Sequence, residues 1–245
     1  ALGFFYLLRF SSYIFLIAVI WEFTRAKKKA DLLINSLVLL GLAVAVFGWL
    51  QYFLLPDLRP FFALGWDEHL WRIFGSFLDP NFTSIILVLT LLLLFWKMSR
   101  KRNPLNYLIF ALVFSSFLFT YSRSGYLAFV AGTLTFFLLA KSFKKMSFVL
   151  VLFFVSLLII PKNLSSEGVK LERTASIAAR FENWRRTFEI ASLSPLLGVG
   201  FNNLGFYNVY KFDADPASHS VSGSDSSLLF VFATTGVVGL ISYLS

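Results

Sequence analysis

Residues 119–128 read FTYSRSGYLA and lie within residues 105–140, a run of 36 that is otherwise apolar. Arg123, flanked by Ser122 and Ser124 and followed by Gly125, interrupts a stretch suited to lipid. Where such a cation can sit decides how this part of the chain crosses a bilayer.

The 245 residues are 58% hydrophobic and 14% charged, with mean hydropathy +0.75. A soluble domain carries about 25% charged residues, so this chain is expected in a membrane. The absence of cysteine excludes disulfides, thiolate nucleophiles and cysteine metal sites. The net charge of +9 matters for where it lies, and nucleic acid is not the expected partner. The chain begins on Ala and stops inside the apolar run GLISYLS, and residues 1–23 lack the marks of a cleavable signal. It therefore reads as an excerpt of a longer protein, truncated at both ends.

About 20 residues cross a hydrocarbon core of about 30 Å. Seven runs qualify as candidate spans: 2–23, 32–55, 81–96, 105–121, 125–140, 146–161 and 227–245. TRAKKKAD (24–31) and KMSRKRN (97–103) hold four Lys/Arg each, and KSFKK (141–145) holds three. The intervening short segments are poor in basic residues, with Arg59 and Arg72 in 56–80 and Arg123 alone in the next. The positive-inside rule puts the three clusters on the cytoplasmic face. Residues 105–140, bounded by basic clusters on both sides, then form one tight hairpin with its apex at Ser122–Gly125. Gly125 suits a turn there. Arg123 lies at the outer mouth, and two readings stand: an interfacial arginine reaching headgroups, or an anion site.

Two exterior segments are more polar. Residues 56–81 carry Trp66, Trp71, Arg72, Asp67, Glu68 and Asp79, and end in DPN, a helix start with Pro80 near the cap and Asn81 available to its free N–H groups. Glu68 with His69 is one acid/base pair to weigh against simple exposure. The large loop, 162–226, has seven Lys/Arg and seven Asp/Glu. Within it, residues 174–192 place Ile177, Phe181, Trp184, Phe188 and Ala191 at steps of 4, 3, 4 and 3, an amphipathic helix capped by Thr174 or Ser176 and stopped before Pro195. It is expected on the membrane surface or over the bundle. Arg180 and Arg185 edge the stripe, and either one suits a bound phosphate; Arg186 faces away. SPLLGVGFNNLGFY (194–207) forms a compact turn. His219 and Asp225, before the last span, are candidate proton-transfer groups, and Gly236 and Gly239 are expected to permit close helix packing.

RIFGSFLDPN before a span, TYSRSG at a hairpin apex, RFENW opening an exterior helix, SPLLGVGFNNL after it and a polar residue before GVVG occur in that order. Together, from about Arg72 to the end, they resemble the O-antigen ligase and O-antigen polymerase superfamily of bacterial membrane glycosyltransferases. The resemblance implies a single all-α transmembrane domain over 1–245 in the bacterial inner membrane, with 162–226 as its large periplasmic or exterior loop. It implies transfer of a glycan from a polyprenyl-pyrophosphate carrier to an acceptor glycan or glycolipid, without metal or cofactor. Arg123 and Arg180 match the family's pyrophosphate-binding arginines, Arg72 is a weaker third, and Ser122 and Ser124 offer extra donors. The chain departs from the family at one place. The ligase histidine position, counted back from Gly236, falls on Asp225–Ser226, and His219 lies six residues too early. Either Asp225 replaces the histidine as base or His219 has been displaced, which leaves a polymerase or another acceptor open.

The chemistry asks for fixed cations at the departing pyrophosphate and a base near the attacking hydroxyl. Free aspartate, with pKa about 3.9, serves as that base only when desolvated. The competing class is a transporter or flippase of lipid-linked sugars, which favours broken helices, midplane carboxylates and an internal repeat.

Overall fold

The computed structural model describes residues 2–64, 69–161, 174–216 and 221–244. Among these residues there are nine α-helices and no strand, and one isolated antiparallel bridge joins Asp57 to Leu70. The helices are α1 (Leu2–Thr24), α2 (Lys27–Leu54), α3 (Pro80–Arg100), α4 (Pro104–Leu118), α5 (Arg123–Leu139), α6 (Phe143–Ile159), α7 (Thr174–Ala191), α8 (Leu204–Phe212) and α9 (Ser227–Leu244). Each of the seven expected spans is a helix. Three of them, α2, α3 and α9, are long and apolar enough to cross a membrane. α4, α5 and α6 have 15, 17 and 17 residues, about 22–26 Å at 1.5 Å per residue, short of a core of about 30 Å.

The chain divides into two compact units, Ile20–Leu171 and Ala1–Val19 with Glu172–Ser245. The first holds α2 to α6. Local chemistry starts its helices: Asp79 accepts from the Asn81 and Phe82 amides at the head of α3, Asn103 accepts from Leu105 N, and Pro80 and Pro104 occupy first-turn positions. Lys97 and Arg100 lie in the last turn of α3, where cations suit the negative end of the helix dipole. The core of this unit is a phenylalanine cluster. Phe117 stands 5.3 Å from Phe129 and 5.4 Å from Tyr126, and Phe153 lies 5.1 Å from Phe129, ring centre to ring centre. Lipid removes most of the hydrophobic drive between helices, so interdigitation of these rings supplies the packing. The outward sides carry exposed Leu39, Phe53, Leu127 and Leu158, as a lipid-facing surface requires.

The second unit packs α7 against α9 and α8. Ile190, Ala191, Leu204 and Ala233 form its small core. α9 is broken at Gly236, which has φ 67° and ψ −168°. The loop 195–200 fills the break: Val199 N and Gly200 N donate to Ala233 O and Thr234 O, and Val237 N donates to Pro195 O at 2.9 Å. Gly236 thus does more than allow close packing. It takes a positive φ, and a Cβ there would overlap the Leu196 carbonyl. Gly198, at φ 71°, makes the reciprocal approach to Thr234. The freed backbone groups are satisfied by this chain, the condition for irregular backbone in an apolar setting.

Gly236→Ala is expected to lower the unfolding midpoint of the detergent-solubilised protein, losing at least about 1–2 kcal/mol from backbone conformation alone. Gly223→Ala is the matched control, because its added methyl would meet nothing, and it should stay within about 0.5 kcal/mol. Equal midpoints for the two variants would remove the break as a constraint.

Candidate functional site

The α4–α5 hairpin turns at Phe119–Ser122, three residues earlier than the expected apex. Arg123, Ser124 and Gly125 already form the first turn of α5. The left-handed residue is Tyr121, at φ 49°. Gly125 is helical, and its small size is needed for another reason: a Cβ would collide with Ser84 of α3. That contact brings the starts of α3 and α5 together. Ser122 caps α5 by accepting from Gly125 N at 3.2 Å, and its hydroxyl donates to Asn81 Oδ1 at 2.8 Å. Ser124 Oγ lies 3.4 Å from the same oxygen. Asn81 thus bridges the hairpin rather than capping α3, which Asp79 does. Arg123 is half-buried and Ser124 exposed. The start of α3, capped by the Asp79 carboxylate, the start of α5 and the Arg123 guanidinium therefore converge on one small patch.

Arg72 holds this patch from beneath. It is 1% exposed, and its Nε and Nη2 donate to Thr120 O at 2.9 Å and Tyr121 O at 3.1 Å. Its guanidinium thus closes the carbonyl end of α4 directly before Ser122. Gln51 of α2 in turn fixes the Arg72 segment. Its Nε2 donates to Arg72 O at 3.2 Å, and its Oε1 accepts from Phe74 N at 3.0 Å and Gly75 N at 3.3 Å. Ile73 N donates to Phe119 O, and Tyr121 Oη donates to Pro161 O at 3.0 Å. His69 is buried, with its ring 6.4 Å from that of Phe74 and its carbonyl accepting from Leu58 N. Glu68, its suggested partner, and His219 lie outside the described residues.

The second unit carries the other candidates. α7 turns Asn183, Thr187, Ile190 and Ala191 toward α8 and α9, while Phe181, Trp184 and Phe188 stay exposed. The side chains of Thr174, Ser176 and Ile177 lie outside the described ones. Asn183 Oδ1 accepts from Asp225 N at 2.9 Å and from the Ser224 hydroxyl at 3.2 Å, and Thr187 Oγ1 lies 3.1 Å from Ser224 Oγ. Asp225, exposed at the head of α9, is therefore tethered one helical turn from Arg180, which shares the Asn183–Thr187 line. Arg180 is exposed. Arg185 is engaged by Glu182 at 2.8 Å and Glu189 at 3.3 Å. Arg186 does face away from the aromatic stripe, pairing with Glu182 at 2.9 Å and covering the Phe212 ring. Hydrogen bonds from Arg185 and then Arg186 hold the Glu182 carboxyl down at about 2.

Sequence reasoning missed Gln51, Asn183 and Thr187. An amide deep inside the apolar run 32–55 was the signal for Gln51, and the polar positions at helical spacing beside Arg180 were the signal for the other two. Among the described residues no three His, Asp or Glu side chains gather as a metal site would require.

A family model described as O-antigen ligase matches residues 108–244. That range takes in α5 with Arg123, all of α7 to α9 and the loop 195–200. Comparison with curated proteins and with solved structures gives no match.

Arg72→Ala should cost about 3 kcal/mol or more in denaturant or thermal unfolding, because two charge-assisted bonds to buried carbonyls are lost. Arg123→Ala should cost clearly less. The reverse order would exchange their roles.

Glu182 gives a pH prediction. Its carboxyl titrates lower in the folded protein, so its contribution to α7 is complete above pH 4.5 and is lost as pH falls through about 2. Hydrogen exchange in α7, corrected for intrinsic rates, should quicken over that window in the wild type. Glu182→Gln should abolish the dependence.

Proposed function

Because the chain belongs to the O-antigen ligase family, we propose that it transfers a glycan from a polyprenyl-pyrophosphate carrier to an acceptor glycan or glycolipid at a membrane surface. The single observation that carries this reading is the convergence of the α3 and α5 starts, Arg123, Ser122 and Ser124 at the hairpin apex. α4 begins immediately after the basic residues 100–102 and rises only about 22 Å, so Arg123 lies below the far edge of the core. A lipid-borne phosphate group is the anion that reaches that depth.

In the reaction the acceptor hydroxyl oxygen bonds to the anomeric carbon. The bond from that carbon to the pyrophosphate oxygen breaks, and its electron pair leaves with the phosphate. Arg123 faces the growing charge, with Ser122 and Ser124 positioned beside it, and fixed donors at developing charge lower the barrier most. In the other unit, Arg180 is the second cation assigned to the donor. Arg185, occupied by two glutamates, is the weaker candidate. Arg72 acts as a positioning residue, holding the apex. Asp225 or His219 takes the hydroxyl proton. The charge is met by arginines, and the reading requires no metal. On this reading the catalytic face lies on the exterior of the inner membrane, an orientation that the basic clusters support, and the chain is one multi-pass domain.

The α9 break favours a second reading, transport of a lipid-linked sugar, since transporters use broken helices to coordinate cargo and ions. Here, however, the loop 195–200 pairs the freed groups on both sides of Gly236.

The test is glycan transfer by the purified full-length protein from a polyprenyl-pyrophosphate donor with EDTA present. Arg123→Ala should lower the rate by about 10²–10³, the scale of one lost oxyanion donor, with its unfolding midpoint retained. Arg180→Ala should fall in the same direction, and Arg185→Ala less. Equal activity of Arg123→Ala and wild type would return Arg123 to an interfacial anchor. Carriage across the bilayer without transfer would establish the transport reading.

A further inference from the structure

At the basic end of α3 to α6 a cavity of about 530 Å³ opens between the four helices, a volume typical of ligand pockets. Its interior is aromatic and aliphatic: Phe95, Phe110, Phe136, Phe137 and Leu152 line it. Such a space does not hold ordered water, because water needs polar partners. Ser142, Lys144 and Lys145 line it as well and supply its polar edge, and both lysines are exposed. Among the described residues neither lysine makes an ion pair. Residues 80–161, which contain all of α3 to α6, carry eight Lys/Arg and no Asp or Glu.

The local backbone has the same sign. Lys144 and Lys145 lie in the first turn of α6, where helices favour acids, and no acid is there. Ser142, the residue that precedes the helix, makes no side-chain cap, and its hydroxyl turns back to Ala140 O at 3.1 Å. An apolar chamber with unpaired cations beside it complements an anionic amphiphile.

We propose that this cavity binds one anionic phospholipid of the surrounding leaflet, its acyl chain among the phenylalanines and its phosphate between Lys144 and Lys145. Basic pockets between membrane helices take anionic headgroups in this manner. The site lies at the opposite end of α5 from Arg123 and is independent of the transfer chemistry.

The test is native mass spectrometry of the full-length protein extracted from bilayers of equal phosphatidylglycerol and phosphatidylcholine. Wild type should retain phosphatidylglycerol preferentially, by about thirtyfold for two lysines beside an anionic headgroup. Lys144→Gln/Lys145→Gln should bring the ratio close to one, and Lys144→Arg/Lys145→Arg should keep it. Leu152→Trp, which fills the chamber, should reduce retention of both lipids. Lys27→Gln/Lys28→Gln, at the start of α2, is the control for diffuse charge and should leave the ratio unchanged. An equal loss in that control, or an undiminished preference in the Gln variant of Lys144 and Lys145, would overturn the proposal. Equal thermal protection by inorganic phosphate alone would overturn it too, since the acyl chain would then contribute nothing.

Discussion

The Arg72 guanidinium, buried against the carbonyls of Thr120 and Tyr121, is the contact on which the candidate site depends. A helix of 15 residues that ends inside an apolar layer leaves its last carbonyls without water. Those groups must be satisfied by the protein. Arg72 does this from a non-helical segment that Gln51 anchors to α2. The chain is thereby held through Tyr121 in a left-handed conformation, and the next residue, Ser122, starts α5. Remove the guanidinium and the apex loses its reason to turn where it does. Arg123 is aimed by a residue 51 positions earlier in the chain.

The second unit solves a similar problem with backbone alone. Gly236 opens α9, and the 195–200 loop docks into the gap by donating to Ala233 O and Thr234 O and accepting from Val237 N. One consequence is rigidity near the base candidates. Asn183 and Thr187 of α7 hold Ser224 and the amide of Asp225, while the loop that follows α7 holds the middle of α9. Arg180 and Asp225 are thus carried on elements locked to each other within this unit.

Much of the helical architecture was legible because its signals are local. The basic clusters and DPN mark helix ends by their own chemistry, and apolar runs mark helices without tertiary help. The apex register was not legible. Gly125 looked like the turn residue because glycine takes positive φ most readily, but Tyr121 takes it, held by Arg72 on its carbonyl and by Pro161 on its hydroxyl. Helix length was overestimated in α4 for a related reason: the apolar run continues through Phe119 to Tyr121 after the helix has ended. At the site, Arg123 stood out as a lone cation in apolar sequence. The roles of Arg72 and Arg185 were not separable from that of Arg123, because a sequence does not tell a guanidinium facing buried carbonyls or two glutamates from one facing a ligand.

The signs of the helix ends in the first unit draw these observations together. α3 starts on Asp79 and finishes on Lys97 and Arg100, α4 starts on Asn103, and the carbonyl end of α4 meets Arg72. Each of these ends meets a group that suits its dipole. α2 begins on Lys27 to Lys29 but has Asp31 one turn on. α5 and α6 are different. They begin on Arg123 and on Lys144 with Lys145, without an acid in either first turn and without a carboxylate anywhere in residues 80–161. A cation at a positive helix end is disfavoured unless an anion joins it. Among the described residues Lys144 and Lys145 make no ion pair. At the apex, the Asp79 carboxylate already caps the α3 start beside Arg123, and the proposed pyrophosphate would join that mixed patch. At the opposite end of α5, where the adjoining chamber is apolar and the lysines stand without an acid, the proposed ligand is the headgroup of a bilayer lipid.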